Sequence, residues 1–232
     1  MAAFAVDAGD FAEYSYESEL EFLDSLNLLS ADGFRPEDEL TRVEACKLVI
    51  NIMSGGQGSF SGGEEVYFTD VAPESSYFDI VSYAVKLGII NGYPNSAFMP
   101  DAPITYMQFY KMLVVALGYG QQAEISGGYP DGYFKYIQTL KLNKKIDRDN
   151  HEVVLLKDAA ILLCTALDTD ICKIKMIGEA TEYQVTKGVT LLTLDKNGKT
   201  EKLKLSKAAD VLINEKACAD YLEDDTVYGR IY

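Results

Sequence analysis

"FTDVAPESSYFDIVSYAVKLGIINGYPNSAFMPDAPITYMQFYKMLVVALGY", Phe68 to Tyr119, contains two helical patterns joined by a loop. In its second half Phe109, Met112, Leu113, Ala116 and Leu117 follow the spacing i, i+3, i+4, i+7, i+8, one apolar stripe of an amphipathic helix. Thr105, with Gln108 three residues on, has the form of a capping box at the start of that helix. In the first half Val81, Ala84 and Leu87 share a helical face. Between the two, Gly92 and Tyr93 read as a tight turn, and Phe98-Met99-Pro100 as a loop that plugs onto the core.

The layout recurs on both sides. With Thr41, Thr105 and Leu155 taken as equivalent positions, the outer copies carry Ala45/Leu48/Val49/Ile52/Met53 and Ala159/Leu162/Leu163/Ala166/Leu167 at the same spacing. The preceding helix recurs as Leu20/Leu23/Leu26 and as Phe134/Ile137/Leu140. Each unit is helix, loop, helix, and a period of roughly fifty to sixty residues is near that of helical-pair repeats. The units fall at about 11–55, 66–120 and 127–171, with a Gly/Ser-rich flexible insertion at 54–65. From Cys172 the pattern changes. "GVTLLTLDKNGKTEKLKLS" reads as two alternating strands about Asn197-Gly198, a pair that favours a type I′ hairpin turn. "DVLIN" and "TVYGRIY" read as further strands, with a short helix near Lys216 to Leu222. The predicted architecture is mainly α, three repeats over 1–171, followed by a small β-rich module at 172–232. The strand at Tyr232 suggests a piece of a longer protein or a domain stopping at a sheet edge.

The chain of 232 residues is 48% hydrophobic and 25% charged, ordinary for a folded protein. Its formal net charge of −15 argues against non-specific nucleic-acid binding, which needs clustered Lys and Arg, and leaves any anionic partner to a local cationic site. No stretch approaches the roughly 18 apolar residues of a membrane span. Cys46, Cys164, Cys172 and Cys218 are widely spaced without a C-x-x-C, which disfavours a zinc site or a redox pair. The opening "MAAFAVDAGDF" lacks a basic n-region and leaves export open. His151 lies in the polar "DRDNHEVV", whose acids lack calcium-loop order. No nucleophile elbow, zinc-protease motif, P-loop or cofactor motif occurs, so an enzyme is not expected.

Arg42 stands apart. Thr41 and Glu44 are accounted for as a capping box, but a cation at the first helical position opposes the positive end of the helix dipole. Next to free helix-start N–H groups it is well placed to hold a carboxylate or phosphate. At the equivalent positions stand Tyr106 and Leu156, so the cationic chemistry occurs once. Tyr106 can stack on a sugar ring or simply pack. Asp70 either fixes a turn or lines a groove; Arg35 reads as a solvated loop residue.

Phe68–Tyr119 resembles the S-layer homology domains of bacterial surface proteins: F-x-D-V at Phe68, G-I-I-x-G-Y at Gly88, F-x-P at Phe98, and I-T-x-x-Q at Ile104. "GFRPEDELTRVEACKLV" is similar to the second half of such a repeat, with T-R-x-E at Thr41, Arg42 and Glu44. The third unit keeps the layout but few signature residues. The resemblance spans about Phe11 to Ile171. It implies a pseudo-trimeric helical bundle, an extracellular, cell-surface or cell-wall location, and binding of a secondary cell-wall polysaccharide, often pyruvylated, in grooves between repeats. It further implies contacts from Arg42 and Asp70, and from the loops Gly33-Phe34 and Gly92-Tyr93. The rival expectation is an interaction or self-assembly module of a surface protein, pairing with other surface proteins or with itself, on a scaffold whose glycan site has decayed.

Overall fold

The computed structural model describes residues 19–20, 23, 35–54, 68–177, 180–185, 189–194 and 200–205. Among them are the helices α1 (Arg42–Ser54), α2 (Phe78–Lys86), α3 (Tyr106–Ala116), α4 (Gly120–Ile125), α5 (Asp131–Thr139) and α6 (Leu156–Leu167). Residues 19, 20 and 23 are helical too. The protein is helix-rich with few strands. The strands β1 (Cys172–Ile177), β2 (Ala180–Val185), β3 (Val189–Leu194) and β4 (Thr200–Leu205) form two antiparallel pairs, β1 with β2 and β3 with β4.

The apolar stripes are the core. Phe109, Met112, Leu113 and Leu117 are buried, as are Ala45, Leu48 and Val49, and the whole set from Ala159 to Leu167. From the shorter helices Leu20, Leu23, Val81, Ala84 and Ile137 join them, with Phe134 and Leu140 packed at the edge. α3 is enclosed on more than one face: Tyr106, Met107, Tyr110 and Val114 are buried beside its stripe. It packs against α1, α4 and α5, and α1 also touches α2 and α6.

The segments leading into α1, α3 and α6 are joined by a closed ring of backbone hydrogen bonds. The Leu40 N–H donates to the Val154 carbonyl (2.8 Å), Val154 to Ile104 (2.9 Å), and Ile104 back to Leu40 (2.9 Å). These three side chains are at most 1% exposed, so the ring is sealed from water. Single bridges beside it pair Glu39 with Leu155, Thr41 with Pro103, and Thr105 with Val153. The first two N–H groups of each helix then donate outward to another segment. Those of Arg42 and Val43 reach Ala102 and Pro100, those of Tyr106 and Met107 reach Glu152 and Asn150, and those of Leu156 and Lys157 reach Asp38 and Pro36. Donors that a helix start leaves without intrahelical partners are thus satisfied by backbone. This corrects one expectation: the N–H groups beside Arg42 are not free to receive an anion.

Caps add to this. Thr105 and Gln108 form the full capping box expected of them. At α1 the Thr41 hydroxyl and N–H both donate to Glu44 Oε2, at 2.6 and 2.9 Å. Leu155 supplies no side-chain cap to α6.

The β3–β4 pair lies where two strands were expected, in a register that sets Leu194 opposite Thr200. Its Asn197-Gly198 turn lies outside the described residues, as do Gly33, Phe34, Leu26, the insertion from 55 on, "DVLIN", "TVYGRIY" and the helix near 216–222. β1 and β2 pair Cys172 with Val185 through to Ile177 with Ala180, where no individual strands were expected.

Candidate functional site

A groove of about 250 Å³ opens between the start of α1, the loop after α2, the Gln108–Lys111 side of α3, and the α4–α5 region. Arg42 lies in its wall beside Gly92 and Tyr93; Lys111, Glu124 and Tyr129 line it from the other elements.

Arg42 is only 7% exposed. Its guanidinium lies over two rings, 4.8 Å from the centroid of Tyr93 and 5.0 Å from that of Phe98. Nε donates to the Phe98 carbonyl at 2.8 Å. Among the described residues no carboxylate lies within ion-pair distance of it. A buried cation held by ring faces and one carbonyl keeps donors for a planar anion, which a guanidinium grips through two parallel bonds.

The loop under Arg42 is fixed by Asp70. Its Oδ1 accepts from the Phe98 N–H (2.8 Å) and its Oδ2 from the Met99 N–H (2.7 Å). Some desolvation of this exposed carboxyl opposes its charge, but those N–H groups, its own N–H and the Arg42 cation outweigh that and hold it below the usual carboxylate range. Asp70 is not among the groove-lining residues; it is linked to Arg42 through Phe98, whose N–H it holds and whose carbonyl accepts from Arg42 Nε. Met99, the second anchored position, adopts a left-handed φ of 59°.

Gly92 lines the groove with a role different from the one expected. The tight turn belongs to Tyr93–Ser96, where the Ser96 N–H donates to the Tyr93 carbonyl (2.9 Å). At Gly92 a Cβ would collide with the Phe68 ring, so glycine there permits close packing. Phe68 in turn stacks on Phe98 at 5.7 Å.

Other expected site residues lie away from the groove. Thr41 and Glu44 are occupied with each other at the helix start. Tyr106 corrects the stacking expectation: it is 1% exposed, its ring packs near Tyr110, and its hydroxyl donates to Asp158 Oδ2. Asp158 is buried and also meets Arg148 Nε at 3.7 Å, so this junction is internally neutralised. Burial, with the Asp158 bond next, pushes the Tyr106 hydroxyl well above its ordinary range. Arg35 is exposed, and the His151 N–H donates to Asp149 Oδ1 (2.8 Å), a local turn contact.

Sequence reasoning missed Lys111, Gln108, Glu124 and Tyr129. Lys111 did leave a signal, as the one charged residue of α3. Its Nζ donates to the Ile89 carbonyl at 3.1 Å and reaches that of Gly88 at 3.5 Å.

Compared with known proteins, residues 67–109 match the S-layer homology domain. The match is confined to this stretch, which is similar to an S-layer homology domain. The matched stretch supplies Asp70, the Gly92-Tyr93 loop and the Phe98 carbonyl, and so part of the groove wall, while Arg42 comes from outside it. A middle cell wall protein of Brevibacillus brevis is 26% identical over 180 residues, 76% of this chain. A surface layer protein of Brevibacillus choshinensis is 26% identical over 58% of the chain. A cellulosome-anchoring protein of Acetivibrio thermocellus is 28% identical over 46% of it. The alignments span 17%, 12% and 26% of those relatives' own lengths.

Proposed function

We propose that this chain is a non-catalytic anchoring module that holds its protein at the cell surface by binding an anionic, possibly pyruvylated, secondary cell-wall polysaccharide in the groove at Arg42. The observation that carries this reading is Arg42 itself, a buried cation with no carboxylate within ion-pair distance among the described residues, opening on a groove. Leaving such a charge unmatched is costly, and an acidic ligand group offsets that cost. The relatives' names, which speak of cell wall, surface layer and anchoring, support the same location and role.

The reading includes an architecture. Three helix-loop-helix repeats, at about 11–55, 66–120 and 127–171, form a pseudo-trimeric bundle around the Leu40–Ile104–Val154 ring, and 172–232 form a separate β-rich module. The ring, and the hand-over of helix-start N–H groups from one segment to another, support three equivalent units. Among the described residues the groove at Arg42 is equipped as an anion site, whereas the junction at Tyr106 is filled by Asp158.

The test is sedimentation of the folded chain with cell-wall sacculi before and after their secondary polymer is extracted. We expect polymer-dependent binding that Arg42→Ala weakens by about 2 kcal/mol or more, roughly thirtyfold. Binding that survives extraction of the polymer, or that Arg42→Ala leaves intact, overturns the reading in favour of a protein-pairing surface.

A further inference from the structure

We propose that the groove takes a sugar unit carrying two negative charges, one gripped by Arg42 and the other met by Lys111, with the ring bracketed by Tyr93 and Tyr129. This rests on the anchoring reading and specifies the chemistry of the polymer that would be held.

Lys111 is the starting point. It projects from a helix otherwise made of apolar and uncharged residues, at a half-buried position on the groove wall. Two backbone carbonyls, of Ile89 and Gly88, take up two of its three N–H groups. Its Nζ stands 6.0 Å from the Tyr133 ring centroid, and among the described residues no carboxylate lies within ion-pair distance. Those carbonyls follow the carboxyl end of α2, and a neutral donor could bond them equally well. The positive charge is therefore in excess of what the local structure uses.

That charge is also held under strain. Burial drives the Lys111 ammonium below its ordinary range, and the Arg42 cation adds to this. Glu124 of α4 works the other way, and so does Cys46 of α1. Cys46 offers little relief at neutral pH, because burial pushes its thiol up to about 12. The Glu124 carboxylate is exposed, and its Oε1 already accepts from the Tyr133 hydroxyl at 2.8 Å. Two cations thus share a groove with one partly engaged carboxylate, in a chain of net charge −15. A single planar carboxylate can satisfy Arg42 but leaves Lys111 unmatched; a second acidic group on the same unit answers both.

The aromatic residues suit a sugar between the charges. Tyr93 and Tyr129 both line the groove, and Tyr129 is 52% exposed. The faces of such rings accept the C–H side of a pyranose while their hydroxyls remain available for bonding.

The experiment is calorimetric titration of the whole chain with three synthetic methyl glycosides: one neutral, one with a single pyruvate ketal, and one with the ketal and a phosphate monoester. We expect the doubly charged glycoside to bind at least tenfold more tightly than the singly charged one. Lys111→Gln should abolish that preference while the singly charged glycoside still binds, Lys111→Arg should keep it, and Arg42→Ala should weaken both. Circular dichroism of each variant separates lost binding from lost fold. Equal binding of the two charged glycosides by the wild type, or a preference unchanged in Lys111→Gln, overturns this inference and leaves anchoring intact. If neither charged glycoside binds and sacculi are not retained, the anchoring reading falls and this one with it.

Discussion

Asp70 holds two consecutive N–H groups with its two carboxylate oxygens, so its ionised form is favoured in the folded chain more than in the unfolded one. Its folded pKa is depressed, so the stability it contributes is present above the ordinary value of 3.8 and is lost as pH falls through the lower folded value. Asp70→Asn should therefore lower stability at neutral pH by about 1 kcal/mol, since the site is exposed, and by progressively less at acid pH. Urea melts of both proteins between neutral pH and about pH 3 check this; equal acid sensitivity would count against it. At this scale sequence and structure diverge most. Arg42 was legible because a cation at a helix start opposes the dipole and asks for a reason. Lys111 left only the signal of being the one charged residue of α3, and one lysine in an amphipathic helix is ordinary until its neighbours in space are known. Tyr106 occupies the position equivalent to Arg42, yet its side chain is committed to Asp158, fifty-two residues away.

At the level of elements, α3 and α6 begin in similar ways but are capped differently. α3 has a complete side-chain box, while α6 has Leu155 at its cap position and relies on the carbonyls of Asp38 and Pro36. Thr105→Ala removes the bond to the Gln108 N–H and should cost about 1 kcal/mol, read as a lower thermal midpoint. Leu155→Thr should gain only part of that in the same thermal melt, because Asp158, at the position equivalent to Gln108, is already held by the Tyr106 hydroxyl and does not complete a reciprocal box. The helices themselves were readable. A stripe such as Phe109/Met112/Leu113/Leu117 can be buried on one side only if the segment is helical, and it is buried. The β3–β4 pair was readable from alternation about Asn197-Gly198; β1 and β2 were not singled out, because Gly178-Glu179 between "CKIKMI" and "ATEYQV" is a weaker turn signal than Asn-Gly.

Across the whole molecule, three segments far apart in sequence meet at Leu40, Ile104 and Val154. Each supplies a donor, an acceptor and a buried side chain, so weakening one member loosens all three. Ile104→Ala should destabilise the helical part by about 2–4 kcal/mol through the cavity it leaves, and should do so in one cooperative transition. Denaturant melts followed by tyrosine fluorescence and by circular dichroism should coincide; separate transitions would mean that the segments are not coupled through the ring.

The sequence by itself determined that amphipathic helices recur with loops of one kind between them, and that a single arginine stands where helix chemistry does not want it. Both follow from near-neighbour rules, periodicity and dipole, which act within a few residues. Only the tertiary structure decided that the helix-start N–H groups are spent on other segments, that Asp70 steadies the loop under Arg42, and that Lys111 and Tyr129 share its groove. Those arrangements depend on which segments pack together, and burial, charge and hydrogen-bond competition among distant residues are not written in local spacing.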